Sequence, residues 1–377
     1  MIYLDYSATT KTSDEVLDTF VKVSKDFPGN PNSLHSLGVK SRELIDASTN
    51  QIAEILGVKP NEIIYTSGAS ESNNAAIKGI CLKYQNRGKH IITTNFEHSS
   101  IYGPISYLQE LGFEVDFVKT DSNGIVDLDD LKRLLRDDTI LVSITAINSE
   151  IGIIEPIEEI GKVLKDYPKC FFHSDLTQII GKKKIDLENV DLASFSAHKF
   201  FGIKGIGGLI KKEKISILPL IHGGKSTTAY RSGTPALPLI ASLAKALRLS
   251  YIDLDNRYKY VKELNNYIKE KLSNYSNIYI NSNDMCIPHI LNLSIAGIKP
   301  ETMLHALEEK DIYISTQTAC SSGGDYSKAV YSLTNDINRA SSSIRISLSY
   351  KTTKEEVDIF IKEFICVVDK LSLRSVQ

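Results

Sequence analysis

The sequence predicts an α/β protein: a large domain with a mostly parallel central sheet and helices on both faces, followed by a smaller α+β domain. Three observations carry this expectation. From residue 13 to about residue 250, short β-rich runs alternate with amphipathic helical segments. Several of those runs are apolar almost throughout, as parallel strands covered on both faces are. The chain has 377 residues, more than the roughly 250–300 at which single cores stop growing. Two domains are therefore expected, 13–250 and 251–377, with the segment 1–12 packing against the second.

The elements follow in order. "SDEVLDTFVKVSKDF" opens on Ser13 as a cap, carries acidic residues in its first turn, and sets Val16, Leu17, Phe20 and Val21 on one face. "VKSRELIDASTNQIAEILG" is a second amphipathic helix closed by Gly57. The β runs are "EIIYT" (62–66), "HIITT" (90–94), "FEVDFV" (113–118), "ILVSITAI" (140–147), "CFFHS" (170–174) and "GGLI" (207–210). Helical patterns such as "PISYLQELG", "DLDDLKRLLRD" and "PIEEIGKVLKDY" separate most of them. Beyond residue 250 a long charged helix, "YIDLDNRYKYVKELNNYIKEKL", leads into "HILNLSI", the helix "PETMLHALEEK" and "IYISTQ". The loop "CSSGGDYS", the strand "SSIRISLSY" and a helix from Lys354 complete the α+β pattern.

Composition excludes several function classes. Hydrophobic residues are 42% and charged residues 24%, as in folded globular proteins. With 44 basic and 46 acidic residues the net charge is −2, which gives nucleic-acid or membrane-surface binding no electrostatic support. No apolar run approaches the roughly 20 residues of a membrane span, and "MIYLDYSATT" lacks the basic region of a signal peptide. Five scattered cysteines with no C-x-x-C pair argue against a disulfide framework or a metal site and for a reducing cytoplasm. Cys81, Cys170 and Cys366 sit in apolar runs and read as small buried hydrophobes. Cys320, among polar and small residues, does not.

Three stretches carry chemistry. In "EIIYTSGASESNNAAIKGI" a strand feeds small residues and then a helix, so backbone N–H groups and the helix dipole can approach an anion. No G-K-[ST] follows, so it is not a P-loop. In "FFHSDLTQ", Asp175 ends an apolar strand, where open α/β sheets bind ligands, although this stretch taken alone favours an N-cap for the next segment. In "SFSAHKFFGIKGIGG", Lys199 follows a further strand, beside His198 and Ser196, both able to donate to an anion. A lysine, an acid and a phosphate cradle together are what pyridoxal phosphate requires: a Schiff-base partner, a counter-charge for the ring nitrogen and a grip on the phosphate. The glycines of "GIKGIGG" precede an apolar strand instead of opening a helix after one, so a nicotinamide reading fails.

With these motifs in view, the chain resembles the NifS/IscS-like cysteine desulfurases, in the class V aminotransferase group of fold-type I pyridoxal phosphate enzymes. The resemblance runs nearly end to end, through "YLDYSATT", "GNPNSLH", "IIYTSGASESNN", "FEHSS", "NSEIG", "HSDLTQ", "SFSAHKFFGIKGIGG", "YRSGT", "TACSSG" and "SSIRISL". It implies that Lys199 binds the cofactor covalently, that Asp175 pairs with the pyridine nitrogen, that Gln178 bonds the phenolic oxygen and that His98 stacks on the ring. Ala69, Ser70, Ser196 and His198 would hold the phosphate, with Thr234 contributing across a homodimer interface. Arg345 would take the carboxylate of L-cysteine, with Asn30, Asn148 and Ser149 nearby, and Cys320 would receive the sulfur as a persulfide. The partners implied are a sulfur acceptor such as an iron–sulfur scaffold, a tRNA-thiolation enzyme or a thio-cofactor pathway protein.

The chain departs from the family pattern at several points. Ser149 stands where the family usually has a second asparagine, and Leu176 replaces a small residue beside Asp175. The stretch before Arg231 and the residues before Ala319 and Cys320 also differ. Class V aminotransferases and selenocysteine lyases share the fold and cofactor residues, and Cys320 on a polar loop favours sulfur transfer over both. A cofactor-free scaffold on the same fold is the other alternative, opposed by intact Lys199, Asp175 and His98.

Overall fold

The computed structural model describes residues 1–316 and 326–374. Its strands are β1 (Ile2–Tyr3), β2 (Ile63–Thr66), β3 (His90–Thr93), β4 (Glu114–Phe117), β5 (Thr139–Ser143), β6 (Phe171–Asp175), β7 (Leu192–Ser196), β8 (Gly207–Lys211), β9 (Ile278–Ile280), β10 (Ile290–Ile295), β11 (Ile312–Tyr313) and β12 (Ser343–Ser347). Seven of them form the central sheet in the order β2-β8-β7-β6-β5-β3-β4. Within it β8 runs antiparallel to both neighbours and every other pair is parallel. The sheet is mostly parallel, as expected.

Alternation along the strands explains why the runs read as continuously apolar. Ile63, Tyr65, Ile92, Val142, Phe172, Ala193, Phe195 and Ile210 join one apolar cluster with the helices Ser36–Leu56, Ile157–Leu164 and Leu237–Tyr251. Their neighbours Ile64, Ile91, Leu141, Leu192 and Leu209 join a second, with the helices Ala69–Tyr84 and Ser99–Glu110. Both faces are thus covered, and period-2 burial on two sides leaves no polar face to show in sequence. The edge strand β4 is the exception and keeps partly exposed residues.

A separate apolar cluster gathers Val261, Leu264, Leu291, Leu293, Met303, Ile344, Ile346, Phe360 and Phe364 around the antiparallel sheet β12-β10-β9. Ile287 and Ile290 return to the larger cluster. The N-terminal segment is shared between the two. Ile2 and Leu4 lie in the smaller cluster, and β1 pairs with β11. Thr10 instead bonds across to the loop after β7: its N–H and Oγ1 donate to the His198 carbonyl at 2.8 and 2.9 Å, and its Oγ1 accepts from Phe201 N–H at 2.7 Å.

Several local expectations change. The long charged helix begins at Leu254, because Asp253 adopts a left-handed conformation (φ 54) and breaks it from the helix Leu237–Tyr251. That preceding helix has no sequence expectation at all; it is apolar nearly all round and lies inside the large core. The helix Ser99–Glu110 starts five residues before Pro104, which sits inside it. In the first helix Val16 and Val23 are buried while Leu17 and Val21 are exposed, and the Ser13 hydroxyl makes no capping bond. Cys81 and Cys170 are buried, but Cys366 is exposed. Its helix buries Val357, Phe360, Ile361, Phe364, Val367 and Val368, and this spacing turns position 366 to solvent.

Close approach of two strand ends constrains one glycine. A Cβ on Gly207 would lie 2.4 Å from the Phe195 carbonyl oxygen and 2.8 Å from the Gly68 Cα, both backbone atoms. Gly207→Ala is expected to cost about 1–3 kcal/mol in urea unfolding. An unchanged midpoint would show that β2, β7 and β8 can spread without penalty.

Candidate active site

The carboxyl ends of the parallel strands, with the turn after β2, converge on one cavity of about 450 Å³, the expected crevice of an open α/β sheet. The turn after β2 contributes Gly68, Ala69 and Ser70, the end of β6 contributes Asp175, and the loop after β7 contributes Lys199. The helix Ala69–Tyr84 opens directly on the cavity. Its N-cap, Gly68, holds φ 154, a conformation L side chains rarely adopt, so the backbone reaches the cavity without a side chain in the way.

Asp175 is 5% exposed. Its carboxylate accepts from the Thr177 N–H at 2.9 Å and from Asn73 Nδ2 at 2.8 Å. It therefore caps its own turn and also lines the cavity. Asn73 is fully buried, and its amide nitrogen also donates to Ser100 Oγ at 2.9 Å. Ser100 Oγ lies 2.8 Å from His98 Nδ1, which accepts the Ser100 N–H at 3.1 Å as the N-cap of its helix. Burial holds the His98 pKa below the usual histidine value; Asp175 opposes this and Lys199 adds to it.

Lys199 Nζ donates to the backbone carbonyls of Ser7 and, at 2.9 Å, Ala8. The Ser7 carbonyl also accepts from Gln178 Nε2 at 3.0 Å, and Gln178 Oε1 accepts from Lys182 Nζ at 2.7 Å. Lys182 is buried, and burial, with Lys199 and Arg345 adding like charge, pushes its pKa down to about 7. His198 Nδ1 lies 3.1 Å from Thr9 Oγ1.

Arg345 is 2% exposed. One terminal nitrogen donates to Asp5 Oδ1 at 2.8 Å and the other to the Ser149 carbonyl at 2.9 Å, while its buried Nε has no partner among the described residues. Its backbone pairs with Ser315 in both directions. Glu150 accepts from Ser327 Oγ, and burial raises its carboxyl pKa. The described flanks of the segment 317–325 are thus tied beside Arg345. Cys320 lies outside the described residues.

Lys199, His98, Ala69, Ser70, Asp175, Gln178, Ser196, His198, Ser149 and Arg345 all line this cavity. Three expected residues do not. The Asn148 side chain is spent on its own turn, donating to the Phe96 carbonyl at 2.9 Å and accepting from the N–H groups of Glu150 at 3.0 Å and Ile151 at 2.7 Å. Asn30 is exposed, and its Oδ1 accepts the Asn32 N–H. Thr234 is exposed on the same chain. Sequence reasoning did not single out Asn73, Ser100, Asp5 or Lys182. Their roles come from partners up to 340 residues away, and no local pattern marks them.

The donor set suits pyridoxal phosphate. A buried carboxylate served by neutral N–H donors keeps its charge available for a cationic ring nitrogen, a lysine stands in the same cavity, and a helix N-terminus opens on it.

Against this geometry the comparisons with known proteins fall into place. Residues 2–360 match the family model described as aminotransferase class-V, and the chain belongs to that family. Its relatives there are NifS/IscS-type cysteine desulfurases. A NifS/IcsS protein homolog of Lactobacillus delbrueckii subsp. bulgaricus is 43% identical over 97% of this chain and 96% of its own. Cysteine desulfurase IscS of Dictyoglomus turgidum is 40% identical over 98% and 95%. The solved structure of a NifS-like protein superposes with a TM-score of 0.92 at 35% identity, covering 99% of both chains.

Two histidines near the site, His173 buried and His198 half-buried, carry a pH signature. Burial drives His173, held between Ser143 Oγ and Ser194 Oγ, down to about 4. Burial, with Lys199, Lys204 and Lys182 nearby, drives His198 to about 4 as well. Unfolded histidine titrates near roughly 6.5. Above that pH neither state is charged; as pH falls from about 6.5 towards 4, the unfolded chain binds protons the folded chain refuses. Stability is expected to fall across that window, and less steeply in His173→Gln. Urea midpoints at several pH values measure this; parallel profiles for parent and variant would contradict it.

Proposed function

We propose that the protein is a pyridoxal phosphate-dependent cysteine desulfurase that removes sulfur from L-cysteine, releases L-alanine and carries the sulfur as a persulfide on Cys320. The observation that carries this reading is the meeting of Lys199, Asp175 and Arg345 in one cavity in a chain about 40% identical to IscS cysteine desulfurases. Lys199 would hold the cofactor covalently, Asp175 would pair with its ring nitrogen, and Gln178 would bond its phenolic oxygen. His98 would lie against the ring, and Ala69, Ser70, Ser196 and His198 would take the phosphate. Bound there, pyridoxal phosphate supplies an electron-accepting ring that weakens the Cβ–sulfur bond of the substrate.

The remaining work belongs to the chain's own residues. Arg345 presents a planar guanidinium suited to a carboxylate, and Asp5 and Ser149 fix its plane. Cys320 accepts the sulfur: an S–S bond forms as the Cβ–S bond breaks, so L-cysteine and one thiol become L-alanine and one persulfide. A thiolate is the suitable nucleophile for this step. In the division proposed for the chain, residues 13–250 carry the cofactor site and 251–377 carry the thiol.

Sulfur then passes to an acceptor protein, serving iron–sulfur cluster assembly, tRNA thiolation or thio-cofactor synthesis in the cytoplasm. The described cysteines are all unpaired, in keeping with a reducing compartment. No helix among the described residues is long and apolar enough to cross a membrane. Incubation with L-cysteine should yield alanine and persulfide sulfur together. Lys199→Ala should lose the covalently held cofactor. Cys320→Ser should keep the cofactor and lose alanine formation by at least tenfold. Full activity in either variant would refute the assignment.

The working unit we propose is a homodimer in which Thr234 completes the phosphate site of a second copy. Thr234 is exposed on its own chain, and the nearby Leu218, Leu220 and Ile221 are exposed at 39%, 42% and 39%. Leu34, close to the Asn32–Ser226 hydrogen bond that ties this loop to the segment 29–35, is 97% exposed. Apolar side chains gathered on one surface in this way mark an interface. Sedimentation at micromolar concentration should give a dimer, and Thr234→Ala should weaken cofactor retention. A monomer that retains cofactor would refute the shared site.

A further inference from the structure

Asn73 belongs to no set of residues that touches substrate or cofactor in the reading above, yet it joins two sides of the cavity wall. It projects from the helix Ala69–Tyr84 and is fully buried. Its amide nitrogen reaches two partners, Asp175 Oδ2 at 2.8 Å and Ser100 Oγ at 2.9 Å. Its Oδ1 has no partner among the described residues. A side chain that leaves its acceptor unsatisfied in the interior is held in place by what its donor does.

The polarity of this chain of bonds is fixed by chemistry. A carboxylate only accepts, so the Asn73 amide nitrogen faces Asp175 and gives it one proton. Its second proton goes to Ser100 Oγ, which then acts as acceptor towards Asn73 and is free to donate its own proton onwards. The group it meets is His98 Nδ1 at 2.8 Å. The Ser100 backbone N–H, which can only donate, reaches the same nitrogen at 3.1 Å. Two donors therefore point at His98 Nδ1, which must be the lone-pair nitrogen of the imidazole, and the ring proton resides on Nε2.

We propose that Asn73 is a positioning residue that, through Ser100, locks His98 as the neutral Nε2–H tautomer and couples that state to the Asp175 carboxylate. The inference deepens the functional reading above and rests on it for its catalytic meaning. In that meaning His98 works as the neutral ring, keeping its Nε2–H as a donor, because protonation at Nδ1 would set an N–H against two other donors. Asp175 does double duty: it stands ready for a ring cation and, through one amide, orders the hydroxyl behind the histidine. The charged groups acting on His98 are Asp175 from β6 and Lys199 from the loop after β7; the carboxyl of its sequence neighbour Glu97 is bonded to Thr94 Oγ1 and the Thr145 N–H. Burial is the largest cause of the depressed His98 pKa, and the bond polarity at Nδ1 acts in the same direction.

The substitution Asn73→Asp tests this with nearly unchanged shape. A carboxylate at position 73 cannot donate, so the Ser100 hydroxyl turns to it and His98 Nδ1 loses that donor. A second negative charge also arrives behind the ring. The expected result is an upward shift of the His98 pKa by about one pH unit or more, with Nδ1 becoming protonated at a pH where the parent keeps it bare. Nitrogen-15 histidine spectra of the cofactor-free protein read both the tautomer and the pKa. There are eight histidines, and loss of one signal in His98→Gln assigns the resonance.

Ser100→Ala removes the hydroxyl donor alone and should move the pKa upward by less. It keeps the test decisive if Asn73→Asp does not fold. In the loaded enzyme the acid limb of the kcat profile with cysteine should move by the same amount as the spectroscopic pKa, with KM little changed. An unmoved His98 titration in the folded variants overturns the proposal, as does a parent whose Nδ1 carries the proton. The spectroscopic arm needs neither cofactor nor substrate. A normal titration result in a protein that does not turn over cysteine would therefore refute the functional reading and leave this one standing.

Discussion

The Asp175 carboxylate, buried at the end of the central strand β6, is the constraint around which the site is arranged. A charge at 5% exposure must be solvated by the protein itself, since burying an unserved carboxylate costs several kcal/mol. Here the solvation comes from neutral donors: the Thr177 N–H and the Asn73 amide. Its field then reaches its neighbours. It raises the pKa of Glu97, where burial is the larger cause and the carboxyl is pushed to about 8, and it opposes the desolvation that lowers His98 and His173. Burial thus favours the neutral form of Glu97, whose Oε1 accepts from the Thr145 N–H at 2.9 Å and Thr94 Oγ1 at 2.8 Å beside Asp175.

The N-terminal strap performs the second organising task. Ser7 and Ala8 present carbonyls to Lys199, Thr10 bonds to the loop that carries it, and Asp5 holds Arg345 from the smaller cluster. Backbone carbonyls suit the lysine because they hold an ammonium without neutralising it, and they can be vacated without stranding a charge. The same strap inserts Ile2 and Leu4 into the smaller core and pairs Ser7 N–H with Ser347 Oγ at 2.8 Å. Ten residues at one end of the chain therefore align the lysine of one core with the arginine of the other.

How far this was legible in the sequence follows from the range of each interaction. The parallel sheet showed itself through runs such as "EIIYT" and "CFFHS" because burial on two faces is written residue by residue. The ends of β2, β6 and β7, with small or chemistry-bearing residues after them, pointed to the cavity for the same reason. The helix Leu237–Tyr251 did not show, since a helix buried on all sides lacks the apolar stripe that periodicity detects. Asn148 was read as a ligand of the substrate, yet its amide satisfies the backbone of its own tight turn, where three bonds outweigh any single contact in the cavity. Asn73 and Lys182 could not be read at all. An asparagine in a helix and a lysine after a glycine look like surface residues until the fold buries them against Asp175 and Gln178.

The charge balance of the cavity is the last consequence. Burial, with Lys199 and Arg345 adding like charge, depresses the Lys182 amine to about 7, while Asp175 and Glu71 line the cavity and Asp5 holds Arg345. Lys182 offers its donor to Gln178 Oε1 whether or not it is charged, so the Gln178 amide nitrogen stays turned towards Ser7 and the cavity across its titration. Cations that crowd one another in a protein interior are costly when empty and become favourable when an anion arrives. A helix N-terminus opening on the same space adds to that preference. The site therefore favours a ligand that brings negative charge, at the helix N-terminus beside Gly68 and Ala69 and beside Arg345.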